Sequence, residues 1–309
     1  MKKIYGVVIF FCLPLLSYGI DSNGFEEKLI SIQNREFSDV KPIVLSAKSL
    51  DMYDFRDMLR DSDPEIRKMA IKNSLRFINN NQIYEEIINI YSNPKERIDI
   101  RIEAAKALSY VGNIYKVKDN IKESIEDNKI PLELKLISYK ALWISGETFS
   151  DIRDFLVERL KYDEKDVEVR KAIIWAMFAS SNNSSVYDAL VDIVKYGSDP
   201  LPVKIEAIKS LYLAMGNSRV NDLIYDIAKY NTSEAEKEMR KTAIFALSAR
   251  NGDSRVRDLL EDLIKHSDDK EIKEIALKAY SPDTFEVYDF FHLSYRTSSG
   301  AFYNPIEKE

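Results

Sequence analysis

Apolar and small side chains return along this chain with helical periodicity in two interlocked registers. Basic residues at Arg67, Arg101, Lys135, Arg170, Lys204, Arg240 and Lys273 mark the first register, and the step from each mark to the next is nearly constant. Such even spacing means tandem repeats. The residue before each mark is aliphatic or Met: Ile66, Ile100, Leu134, Val169, Val203, Met239 and Ile272. Three positions after it the residue is small at Ala70, Ala104, Ser138, Ala207, Ala243 and Ala276, with Ile173 the exception. Offsets of minus one, plus three, plus four and plus seven share one face of a 3.6-residue helix. That face is therefore predicted to be buried, and its small residues allow a neighbouring helix to approach closely.

The second register is carried by Ile83, Val117, Ile152, Val186, Val220 and Val256. Each follows its preceding basic mark at the same offset, as Ile83 follows Arg67, except Ile152, which stands one place further from Lys135. Between the two kinds of helix stand Gly112, Gly146, Ser180-Ser-Asn-Asn183, Gly216 and Asn251-Gly252, residues that commonly end helices. The reading is a series of helical hairpins, and seven fit when counted from Ser49.

The Arg-type helix opens on an acid four places before the mark at Asp63/Arg67 and Asp166/Arg170, and more weakly at Glu236/Arg240 and Asp269/Lys273. Arg97, Pro131 and Pro200 depart from that pattern. An Asp-x-x-x-Arg pair opening an Ala-rich helix resembles HEAT repeats of the short, phycobilisome-lyase-like type, over Ser49 to about Ser281. The resemblance implies an all-α fold, a right-handed α-solenoid of about seven hairpins. It also implies that Arg-type helices line a concave wall and the others a convex one. A tetratricopeptide array has a similar period, but its Trp-x-x-Leu-Gly-x-x-Tyr helix does not recur here.

The chain divides into four expected parts. Residues 1–19 combine Lys2 and Lys3, an apolar run from Gly6 to Leu16 and a Ser17-Tyr-Gly19 ending, the pattern of a secretory signal peptide. The run is about half the ~20 residues of a membrane span. Cleavage after Gly19 and a periplasmic or outer-envelope location are the expectation. Residues 20–48 are read as an N-terminal cap and residues 49–281 as the repeat array. Residues 282–309 form a tail carrying Phe285, Tyr288, Phe290, Phe291, Tyr295, Phe302 and Tyr303, too aromatic for a disordered linker. The tail is read as a cap on the last hairpin; the alternative is that Phe290-Phe291 to Tyr303 folds back into the groove or docks on a partner.

Charge narrows the function classes. The formal net charge is −6, and loss of Lys2 and Lys3 makes it −8, so nucleic acid is not expected as a partner. The only cysteine, Cys12, falls inside the signal run, which leaves a mature chain without thiol chemistry. Two histidines, His266 and His292, stand in unrelated contexts, with no metal-ligand spacing and no phosphate loop. No cofactor, metal or catalytic residue is expected, and the chain is read as not an enzyme. Deoxyhypusine hydroxylase is similar in repeat type, but the repeated His-Glu motifs of its iron site are missing here. Bilin lyases share the repeat type too, yet an exported chain gives their pigment chemistry no support.

Three sets of residues are candidates for recognition. Acids at Glu85, Asp119, Asp154, Asp188, Asp222 and Asp258 make a stripe on the second helix type, read as a solvated face with lysines beside it. Tyr162, Tyr196 and Tyr230 end that helix type and are read as packing between repeats. The most informative set lies on the Arg-type helices. Lys106, Lys140, Trp175, Lys209 and Phe245 stand five places after the mark, and Trp143, Phe178 and Tyr212 eight after it. Lysines interleaved with aromatics suit a carboxylate-bearing or extended polypeptide ligand. The leading reading is a protein–protein interaction scaffold or adaptor of the envelope that binds a partner along the groove. A ligand-binding module for cell-wall glycan or peptide, and an accessory subunit of an envelope enzyme, are the alternatives.

Overall fold

The structure is a computed structural model that describes residues 51–127, 129–293, 295–296, 302–304 and 306. The signal and N-terminal cap expected over residues 1–19 and 20–48 lie outside the described residues. The chain forms two units, Leu50–Leu293 with Pro305–Glu309, and Met1–Ser49 with Ser294–Asn304. The described part of the second unit is one antiparallel pairing of β1 (Tyr295–Arg296) with β2 (Phe302–Tyr303), Tyr295 opposite Tyr303 and Arg296 opposite Phe302.

The first unit is all helical. Among the described residues seven pairs follow one another. They are α1 (Met52–Leu59) with α2 (Pro64–Asn73), α3 (Asn81–Ser92) with α4 (Ile98–Ser109), and α5 (Tyr115–Glu126) with α6 (Leu132–Ala141). After a short α7 (Trp143–Thr148) come α8 (Ser150–Glu158) with α9 (Val167–Ala176) and α10 (Ser184–Lys195) with α11 (Leu201–Ser210). Next are α12 (Ser218–Tyr230) with α13 (Lys237–Ala246), and α14 (Ser254–His266) with α15 (Lys270–Tyr280). Each Arg-type helix packs on the next Arg-type helix and on its own partner, α9 doing so through the Arg159–Asp163 turn that continues α8, which makes the array an α-solenoid.

The two registers explain the core. Every residue three places after a basic mark is fully buried, including Ile173, and so are the second-register residues Ile83, Val117, Ile152, Val186, Val220 and Val256. Of the residues before the mark only Ile66, in the first Arg-type helix, keeps partial exposure. Burying one such aliphatic side chain contributes about 1.5–3 kcal/mol. Gly146 departs from expectation. It sits inside α7, not at a break, with Leu156 Cδ1 and Ser180 Oγ close to where a side chain would project; the break falls at Phe149.

The acid of the Asp-x-x-x-Arg pair is the N-cap. Asp63 accepts the Glu65 N–H, Asp166 those of Glu168 and Val169, and Asp269 those of Glu271 and Ile272. Each satisfies helix-start donors that no carbonyl reaches. The basic mark turns the other way, onto carbonyls of the neighbouring helix end. Arg101 donates to Tyr91 O at 2.8 Å, Arg170 to Leu160 O at 2.7 Å, and Arg240 to Ala228 O at 3.0 Å.

A further bond joins consecutive repeats. Arg67 pairs with Glu96, Lys135 with Glu164, and Arg170 with Asp199, at 2.7, 2.6 and 2.7 Å. In each case the acid stands at one and the same offset beyond the base, immediately ahead of the next Arg-type helix. The acidic stripe does the same outside. Glu85 pairs with Lys116 at 2.8 Å, Asp222 with Arg255 at 2.6 Å, and Asp188 with Arg219. These are exposed pairs between successive repeats, each of small energy.

Candidate functional site

The aromatic lane lies where the Arg-type helices end. The helices α9, α11 and α13 tighten into 3-10 turns at Phe178–Ser180, Tyr212–Ala214 and Leu247–Arg250, and the first two turns carry the plus-eight side chains Phe178 and Tyr212. Trp143 opens α7 at the corresponding place. One helical step earlier, Trp175 and Phe245 stand on the last turn of α9 and α13.

These rings meet one another. Trp143 stacks on Phe178 with centroids 5.4 Å apart and 21° between planes, and Phe178 meets Trp175 edge-on at 5.5 Å. The Lys140 ammonium lies 5.6 Å from the centre of the Trp175 ring. The lane continues through Tyr212, whose hydroxyl is 3.3 Å from Ser248 Oγ, and whose burial pushes its phenol pKa up.

The candidate rings are covered in this structure. Trp143, Trp175, Phe178, Tyr212 and Phe245 are all buried, between 1 and 5% exposed. Part of the cover comes from the chain itself. After α15 a short link, Ser281 to Asp283, leads into α16 (Thr284–Phe290), and the residues that follow lie against the lane. Phe291 stacks on Tyr212 at 4.1 Å and on Phe245 at 5.4 Å. Phe290 meets Phe245 edge-on at 5.0 Å, with the Lys209 ammonium 4.9 Å from its ring centre. His292 lies 5.8 Å from Trp175. The tail through Leu293 thus lies across three successive repeats, where a cap on the last hairpin was expected.

How α16 ends fixes this placement. The Leu293 N–H donates to Tyr288 O at 2.9 Å, the six-to-one bond of a Schellman motif. His292 then holds the left-handed position with φ 57°. Glycine takes that conformation freely, whereas a side chain there costs about 1–2 kcal/mol. The imidazole lies against a carboxylate: His292 Nε2 is 3.3 Å from Glu206 Oε1.

Glu206 is the residue that sequence reading missed. It lies two places after the mark on α11, where the other helices carry Met69, Glu103, Ile137, Ala172, Thr242 and Ile275. It is buried. Burial works to raise its pKa, but His292, and behind it Lys209 and Lys140, outweigh burial and hold the carboxyl below its ordinary value. An acid on a helix face of otherwise mostly apolar or small residues was the available signal. Of the candidate lysines, Lys140 and Lys209 belong to this cluster and Lys106 does not, since it lies on α4, well before the seated segment.

The tyrosine column is a second correction. Tyr162, Tyr196 and Tyr230 are 76, 69 and 64% exposed, so they do not pack between repeats. Tyr162 and Tyr196 flank an open cleft of about 490 Å³ that also includes Arg170 and Asp199. Among the described residues no group of three or more His, Cys, Asp or Glu could hold a metal ion, and no helix is long and apolar enough to cross a membrane.

No protein-family model matches the chain, and no curated protein matches it. Solved structures are similar, two of them as follows. One is the complex of CpcE and CpcF of phycocyanin lyase from Nostoc sp. PCC7120, at 15% identity and a TM-score of 0.46, over 82% of this chain and 98% of that one. The other is YibA of Escherichia coli, also at 15% and 0.46, over 86% and 100%. The fold is a HEAT-like helical repeat. The likeness is one of fold, and it corrects one expectation. That complex is named as a lyase, and the reading of this chain as not an enzyme is withdrawn.

Proposed function

We propose that this chain is an exported scaffold or adaptor of the cell envelope that recognises another protein through a polypeptide segment laid against the Arg-type helices. The observation that carries the reading is that the lane already accepts polypeptide: the Phe291 ring sits against Tyr212 and Phe245, with Lys209 over Phe290. Aromatic anchors in desolvated pockets are the usual centre of a protein interface. Export rests on the pattern of residues 1–19. A photo-crosslinker placed at Lys209 in intact cells tests the reading. It should trap one envelope protein, and trapping none, or only cytosolic proteins, overturns it.

A second reading uses the other helix type. The exposed column of Tyr162, Tyr196 and Tyr230 suits a repeating ligand such as cell-wall glycan, since sugar faces stack on exposed rings. Co-sedimentation with purified cell wall tests it, and loss of sedimentation on changing all three tyrosines to Ser is the expected outcome.

A further inference from the structure

The segment on the lane has properties that a purely structural plug does not need. The single short helix α16 depends on docking, because isolated helices below about 12–15 residues are marginal in water. It joins α15 through only Ser281, Pro282 and Asp283 and stands outside the seven helix pairs. Its end then presents three side chains in succession. Phe290 takes the edge of Phe245 and the Lys209 cation, Phe291 the faces of Tyr212 and Phe245, and His292 the buried Glu206 carboxylate.

Glu206 is the informative member. A buried carboxylate is costly unless a cation or hydrogen-bond donors meet it. An apolar residue there would plug the groove equally well, and an ordinary glycine would end the helix with less strain than His292. Both residues are explained if the lane selects a sequence: two rings followed by an imidazole that meets the carboxylate.

We propose that Phe290-Phe291-His292 is an internal ligand that occupies the recognition lane, and that the partner segment carries the same signature of two consecutive aromatic residues followed by a basic one. The partner binds by displacing the latch. This rests on the reading of the lane as a polypeptide-binding face and specifies what that face takes. The apparent affinity of the intact chain is reduced by the fraction of time the latch is closed.

The test uses the full chain and a fluorescein-labelled peptide of residues 286–293, with a control peptide in which both phenylalanines are serine. A variant carrying Phe290→Ser and Phe291→Ser empties the lane. It should bind the peptide at least tenfold more tightly than the unaltered chain and should ignore the control peptide. Adding Glu206→Gln to it should weaken binding threefold or more. Equal affinity of the emptied and unaltered proteins overturns the latch.

If the emptied variant does not fold, deuterium exchange on the unaltered chain decides. Excess peptide should speed exchange at the Phe291 and Leu293 amides, which are bonded to Val287 O and Tyr288 O in the docked segment, and unchanged exchange overturns the proposal. Peptide binding that crosslinks to the lane without loosening these amides defeats the latch and leaves the adaptor reading standing. Loosening of the amides by peptide, with no envelope protein trapped at Lys209 in cells, does the reverse.

Discussion

The ring of Phe291 lies 4.1 Å from that of Tyr212, 20° from parallel, and none of its surface reaches solvent. A tail residue therefore occupies a position as buried as any in the array. Phe291→Ala should cost about 3–5 kcal/mol in the transition that includes α16. Both tryptophans of the chain belong to this cluster, so urea titration followed by their emission reads the loss directly. An unchanged midpoint with unchanged emission would place the ring elsewhere.

His292 provides a paired comparison. Replacing it by Gly removes the contact with Glu206 and also the left-handed strain, whereas replacing it by Ala removes the contact and keeps the strain. The Gly variant should be the more stable of the two by about 1 kcal/mol. Equal stabilities would mean that His292 is not left-handed in solution.

Glu206 gives the latch a pH dependence whose sign is fixed. Its folded pKa lies below the ordinary glutamate value of 4.5, because His292, Lys209 and Lys140 together outweigh burial. A depressed folded pKa contributes stability that is complete above the unfolded value and is lost as pH falls through the folded one. Tryptophan emission should therefore report latch release on acidification below about 4.5 in the unaltered chain, while Glu206→Gln should lose that acid step.

Asp99 is a separate acid-sensitive site. Hydrogen bonds from Lys68 at 2.7 Å and then Arg97 at 2.9 Å hold its carboxyl down at about 2, against 3.8 ordinarily. The tie between α2 and α4 is thus complete above 3.8 and is lost as pH falls towards about 2. Asp99→Asn should flatten the acid limb of the stability curve in that window and leave its slope at neutral pH unchanged.

Arg170 tests the joints between repeats. Its guanidinium meets the carbonyls of Leu160 and Glu164, and Asp199 at 2.7 Å, with both charged side chains mostly buried. Arg170→Ala leaves those groups unpaired and should cost about 2–4 kcal/mol by chemical denaturation. Arg170→Lys should recover only part of it, since an ammonium cannot span the same acceptors.

Much of this architecture was legible because it depends on local spacing. The mark, the small residue three places on and the aliphatic residue of the helix that follows each obey one rule, a helix turning every 3.6 residues, and the last two positions are buried throughout. Asp166 reads as an N-cap for the same reason. Gly146 misled because glycine ends helices only when the backbone needs the left-handed region, and here it sits inside a helix. The tyrosine column misled because even spacing is equally compatible with an outward lane, which is where Tyr162, Tyr196 and Tyr230 stand.

The lane was found, but not its occupant. Trp175, Tyr212 and Phe245 lie at fixed offsets from their marks, whereas Phe290, Phe291 and His292 carry no repeat register that would assign them to a rung. Glu206 and His292 meet from opposite sides of two intervening hairpins, and no periodicity connects them. The pairing of a base with the acid just ahead of the next Arg-type helix was within reach of pattern reading, since one offset recurs from Arg67, Lys135 and Arg170.

Those recurrent ties have a mechanical consequence. Every such bond fastens a rung only to the one beside it, so none of them spans the length of the stack to share a load. A chain held at both ends and stretched would give way rung by rung, at successive similar forces, and would shorten again as the rungs re-formed.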